Sequence, residues 1–177
     1  MQTLERNLSQ CKYEIQFAAN LKVVAMQMDG AAPCQNSWPC DTFTMPLSLE
    51  EAGGVISRAQ AKADELGVRV TVAVVDEGSL LIALARMDGA PPLSPQIAEA
   101  KAVGAAMWHR DGAQLAEVAK ERPGLFSVAD RMVRVPIVPG LGSALIKRDG
   151  RVLGAVGVSG AKPEQDLECA QAGLNSI

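Results

Sequence analysis

Aromatic side chains are scarce in this sequence, at 3% of 177 residues, and there is a single histidine, His109. Few flat rings leave few platforms for stacked nucleobases, and the mixed-sign charges, netting −3, form no basic track for a phosphate backbone. Nucleic acid is therefore not an expected partner. No run approaches the ~18 unbroken apolar residues that a membrane-spanning helix needs. The opening MQTLERNLSQCK also lacks the apolar core of a secretion signal, so the expectation is a cytoplasmic protein without membrane contact. Cysteine is limited to Cys11, Cys34, Cys40 and Cys169, with no C-x-x-C pair. Reduced thiols in a cytosolic protein are one reading and a Cys34–Cys40 disulfide in an exported form is the other. Zinc lacks a donor set, because His109 is remote from these cysteines in sequence. No Ser-His-Asp or Cys-His arrangement can be assembled, and Asp76 and Asp88 read as turn residues rather than a working pair of carboxylates.

What is present is apolar and patterned. Hydrophobic residues make up 48% of the chain, enough for one domain with a sizeable core. Ser48 and Glu51 have capping-box spacing before a helix from about Leu49 to Leu66, with Gly67 placed as its stop. VRVTVAVVD, Val68 to Asp76, is dense in β-branched residues and predicts a strand that returns, after Glu77-Gly78-Ser79, as a second strand over Leu80 to Arg86. Ser94 is placed as an N-cap and Pro95 as a first helical residue, opening an alanine-rich helix that runs to about His109. A short helix over Gly112 to Lys120 follows, then an irregular stretch over Pro123 to Val135 and a short strand over Val135 to Val138. Asp149-Gly150 between two apolar runs predicts a second hairpin, and Pro163-Glu164 opens a last helix. Two hairpins among helices define an α+β layer fold with an antiparallel sheet.

Two places share one design, a strand followed by a small-residue loop and a helix start. They are ARMDGAPPLSP and GAVGVSGAKPEQD. Helix N-termini attract anions through unpaired N–H groups, and glycine admits a ligand closely. Arg86 adds a planar donor fork suited to carboxylate, and Lys101, two turns into the alanine-rich helix, is placed to face the same space. If the two places converge, Arg86, Asp88, Gly89, Ala90, Ser94, Lys101, Ser159 and Gly160 form a wall for a carboxylate-bearing small molecule. In a catalytic version, Arg86 clamps the substrate and Lys101 acts as acid or base. A purely structural reading accounts for the same residues: Asp88 closes a turn, Arg86 pairs with it, and Ser159 caps a helix. Met28 to Pro33, MDGAAP, nearly copies the first motif, but Gln27 stands where Arg86 does, so an anion site is not duplicated with it.

VAVVDEGSLLIALARMDGAPPLSPQIAEAKAVGAAM and GLGSALIKRDGRVLGAVGVSGAKPEQDLECAQAG resemble the HbpS-like/GlcG family of haem-binding proteins, which includes the C-terminal domain of PduO-type corrinoid adenosyltransferases. The resemblance covers about Leu47 to Ile177. It implies a profilin-like layered fold over 46–177, with about five antiparallel strands flanked by helices, and it leaves 1–45 outside as an accessory or poorly ordered extension. It also implies homo-oligomers from dimer to octamer and haem as cofactor, with haem degradation or haem and iron sensing as associated activities. The alternative is an enzyme or accessory protein acting on a small hydroxy or keto acid in a catabolic pathway, without haem. One departure bears on iron. Where the family often has a Pro-Thr whose threonine is implicated in iron contact, this chain has Asp111-Gly112. The nearby His109 is the candidate metal ligand in its place.

Overall fold

The computed structural model describes residues 47–175, so Cys11, Cys34, Cys40, the MDGAAP copy and the reading of 1–45 lie outside the described residues. The elements run α1 (Leu49–Glu65), β1 (Thr71–Asp76), β2 (Leu81–Arg86), α2 (Ser94–Trp108), α3 (Gly112–Glu121), α4 (Pro123–Asp130), β3 (Ser143–Arg148), β4 (Arg151–Ser159) and α5 (Pro163–Leu174). The sheet is antiparallel with order β2-β1-β4-β3. Among the described residues it has four strands rather than about five. The missing one is Val135 to Val138, which is irregular. Pro136 has no amide for a ladder, and the Ile137 N–H donates instead to Asp130 Oδ1 at 2.6 Å. The expected irregular stretch after Pro123 contains α4, which proline opens at its first turn and which Phe126 anchors by stacking on Trp108 at 5.7 Å.

Strand alternation divides the core into two layers. Val70, Val72, Val74, Val156 and Val158 face one way and pack with Val55, Ala59, Cys169 and Ala170 of α1 and α5. Val75, Leu145 and Ala155 face the other way and pack under Ala102, Ala105 and Ala106 of α2. The small residues let α2 settle onto the strand backbone: a Cβ on Gly157 would lie 2.1 Å from Ala98 O and 2.7 Å from Ala102 N. Burial also pushes the Cys169 thiol up to about 11, with Asp166 and Glu168 adding to the shift, so it stays a protonated core side chain.

At α1 the sequence reading holds in detail. Glu51 N–H donates to Ser48 Oγ at 3.2 Å, and Ser48 N–H donates back to Glu51 Oε2 at 2.9 Å. These bonds from Ser48, joined by the Arg148 guanidinium on Oε1, hold the Glu51 carboxyl below its ordinary range. Ser48→Ala is expected to cost about 1 kcal/mol in urea unfolding. Because the folded-state value is depressed, the contribution of Glu51 is present above the ordinary carboxylate value and lost as pH falls through the lowered one. Glu51→Gln should therefore unfold more easily than the parent at neutral pH, and the difference should close in acid.

Candidate anion-binding site

The site begins with a row of residues across three strands. In the β1–β2 register Thr71 pairs with Arg86, and in the β1–β4 register Thr71 pairs with Ser159. Two strand spacings thus separate the Cα atoms of Arg86 and Ser159, about 10 Å. Paired residues share a face of the sheet, which here is the face that carries α2. Thr71, Ser94 and Ser159 are all buried. Ser94 shares a hydrogen bond with Thr71, Oγ to Oγ1 at 2.7 Å, and donates to Pro91 O at 2.7 Å.

Ser94 is not the N-cap expected from its position before Pro95. Leu93 is, in α-helical conformation and without a side-chain cap bond. The reason is that the Ser94 hydroxyl already joins the helix start to β1 and to the preceding loop. Ser159 is likewise the last residue of β4 and not a cap, because Lys162 caps α5 and its N–H donates to Gln165 Oε1 at 3.3 Å. The expected Arg86–Asp88 pairing is not what forms either. Arg86 Nε donates to Ala90 O at 3.1 Å, with NH2 on the same oxygen. The loop itself is a tight turn, closed by Ala90 N–H to Met87 O at 3.0 Å with Gly89 at φ +82°. Asp88 and Gly89 are exposed and Ala90 is buried. Gly160, at φ +142°, lies where a Cβ would come within 2.5 Å of Arg69 O, so the second turn packs against the segment entering β1.

Lys101 does not face Arg86. Its ammonium donates to Val158 O and to Asp166 Oδ2, both at 2.9 Å, and both partners' side chains are nearly sealed from solvent. Asp166 Oδ1 accepts Ala161 N–H at 3.0 Å. The pair ties α2 to α5 around the end of β4 and fixes the 159–161 turn. Gly142, at φ +101°, makes room for it, since a Cβ there would be 2.7 Å from Lys101 Nζ. Burial raises the Asp166 carboxyl above its ordinary value, against the lowering pull of Lys101 and the Ala161 amide. Asp166, Gly142 and Thr71 are the residues the sequence reading missed as parts of this region. The signals available were the late aspartate before an alanine-rich helix and the paired glycines at 140 and 142.

His109 lies elsewhere. It is exposed, in left-handed conformation (φ 50°) at the C-terminal end of α2. Fifteen helical residues separate that end from Ser94, about 22 Å at the α-helical rise. Within one subunit His109 therefore does not join the Arg86 wall. Asp111, in the departing WHRDGAQL stretch, accepts Leu145 N–H at 2.8 Å and fastens α3 to β3. Two exposed leucines belong to the same region: Leu84 shares the face of β2 with Arg86, and Leu93 opens α2. An exposed arginine on a strand face shared with an exposed leucine has the chemistry to suit a flat apolar ligand with carboxylates. The residues present fit the propionates and porphyrin edge of a haem, while no iron ligand comes from His109 on the same subunit. Among the described residues no cluster of three or more His, Cys, Asp or Glu is placed to hold a metal ion, and no helix is long and apolar enough to cross a membrane.

A layered α+β domain, with an antiparallel sheet between helices, is the class these features define. The sequence model of the family described as haem degrading protein HbpS-like matches residues 47–175, and the chain belongs to that family. It is 34% identical to Protein GlcG of Escherichia coli K12 over 114 residues, covering 64% of this chain and 81% of that one. It is 29% identical to the corrinoid adenosyltransferase PduO of Salmonella typhimurium over 146 residues, covering 82% of this chain but only 43% of the longer enzyme. Among solved structures, a PduOC:haem complex superposes with a TM-score of 0.68 at 27% identity, over 75% of this chain and 96% of that one. A double mutant of Streptomyces reticuli HbpS gives 0.69 at 28% identity, over 83% and 97%.

Proposed function

We propose that this protein binds haem by its propionates at the Arg86 end of the sheet. The observation that carries the reading is the row Arg86, Thr71 and Ser159 near the start of α2, with the exposed Leu84 on the same face of β2 and the exposed Leu93 at the N-cap of α2. A haem-complexed relative of the same fold supports it. Arg86 provides the charge, the Met87–Ala90 turn holds Arg86 in place, and the leucines supply the apolar contact. His109 enters only if a second subunit brings it to the iron. Titration with haemin should give a shifted Soret band, and Arg86→Ala should weaken binding about tenfold or more, as expected for a lost charged contact. An unshifted Soret band, or equal affinity in Arg86→Ala, counts against this reading.

Arg86 is exposed and its planar fork suits a lone carboxylate equally well, which supports a second reading, in which a small hydroxy or keto acid is bound without haem. Thermal stabilisation by such acids, abolished in Arg86→Ala, would mark it. Lys101 takes no direct part in either reading, because it is buried and two of its three N–H donors go to Asp166 and Val158 O.

A further inference from the structure

Two propionates leave a porphyrin from neighbouring pyrroles, and Arg86 is a single cation. Its Nε and NH2 groups already donate to Ala90 O, which leaves one edge of the guanidinium for one carboxylate. A second cation lies at the same end of the sheet. The β1–β2 ladder runs on past Thr71, with Met87 N–H donating to Val70 O at 3.0 Å, and Arg69 is the next residue. Strand alternation gives Arg69 the face of Thr71 and Arg86, because Val70 between them packs into the opposite layer with Val55 and Cys169. Two residues along the strand and one strand across separate the Cα atoms of Arg69 and Arg86, about 8 Å. The two glycine-bearing turns also meet on this residue. A Cβ on Gly89 would lie 3.8 Å from Arg69 Cγ, and one on Gly160 would lie 2.5 Å from Arg69 O. The Arg69 guanidinium is lightly held. Among the described residues its one ion pair is with Asp64, at the end of α1, and the two side chains are 54% and 59% exposed. Exposed pairs of this kind are screened and contribute little, so a ligand carboxylate can replace Asp64 at small cost.

We propose that Arg69 is the second carboxylate-binding residue of the Arg86 site, which makes the site selective for ligands with two carboxylates, and that Asp64 competes with the ligand for it. The proposal rests on the haem reading above: Arg86 takes one propionate, and Arg69, turning from Asp64, takes the other. Gly89 suits this turn twice over, since its φ of +82° disfavours any other residue and its missing side chain leaves the Arg69 stem room to move. Lys162 is the other cation near this end. It is exposed and lies past Ala161 at the N-cap of α5, outside the two turns that meet on Arg69.

The test titrates the full chain with haemin and with haemin monomethyl ester, which keeps one carboxylate, and reads the Soret band. The parent should prefer haemin by about tenfold, the size of one charged contact. Arg69→Gln should lose most of that preference while keeping the parent's circular dichroism and urea midpoint. Asp64→Asn should bind haemin more tightly than the parent, a gain that damage to the fold does not produce. Lys162→Gln should keep the parent's preference. The proposal is overturned by a parent that binds the two porphyrins equally, by Arg69→Gln retaining the preference, by its loss in Lys162→Gln instead, or by Asp64→Asn binding haemin no more tightly than the parent. A parent that binds no haemin overturns this proposal and the haem reading together. Haemin affinity that falls in Arg86→Ala but not in Arg69→Gln overturns this proposal alone.

Discussion

Lys101→Ala should lower the unfolding free energy by about 3–5 kcal/mol, because it leaves the Asp166 carboxylate buried with no cation beside it. For a chain of this size the midpoint temperature should fall on the order of 10 °C. The loss should depend on pH in a definite direction. Burial already raises Asp166 above its ordinary value, and Lys101 is the main group opposing that rise. A carboxyl that ionises less readily when folded binds more protons in the native state. Its contribution is therefore greatest in acid and declines as pH rises through the interval between the ordinary and raised values. Removing Lys101 widens that interval, so the deficit of Lys101→Ala should be largest at neutral and alkaline pH and shrink in acid. Urea unfolding across a pH series measures it, and a loss under about 1 kcal/mol that ignores pH would contradict a buried pair. The double variant Lys101→Met with Asp166→Leu should recover part of the stability, since neither charge is then stranded. Recovery stays incomplete because Ala161 N–H loses its acceptor.

Gly157→Val should be among the most damaging single changes within the sheet, costing about 4 kcal/mol or more, at the extreme of measured substitutions. Gly157 is the point where α2 rests on β4, and even one Cβ would fall 2.1 Å from Ala98 O. The obstacle is backbone, which cannot turn aside as a flexible side chain would. Restoring clearance requires α2 to lift, which opens the layer of Val75, Ala102, Ala105, Ala106 and Ala155. Valine otherwise suits a strand well, so a propensity argument alone would call the change favourable. A midpoint urea concentration equal to the parent's would show that α2 does not sit where the contacts put it.

Much of the framework was legible in the sequence because its signals are local. The Ser48–Glu51 box, the Asp149-Gly150 turn and the β-branched run before Asp76 each act within a few residues, and each element formed where its own residues called for it. The misreadings occurred where a local signal met a distant competitor. Ser94 has an N-cap's position but its hydroxyl is taken by Thr71, 23 residues earlier. Val135 to Val138 has strand-forming residues, yet its central amide goes to Asp130. Lys101 reads as a free cation until α5 brings Asp166 to it from 65 residues away.

By itself, then, the sequence determined the α+β class, the two hairpins, the helix starts that proline and serine-glutamate pairs mark, and the pair of glycine-bearing turns after β2 and β4. Periodicity and turn chemistry decide such features over short spans, where few alternatives compete. Only the tertiary structure decided which charges meet. Strand order β2-β1-β4 set Arg86 and Ser159 on either side of Thr71. It also committed Lys101 to Asp166, because the partner of a buried charge is chosen by which layers pack together and not by distance along the chain.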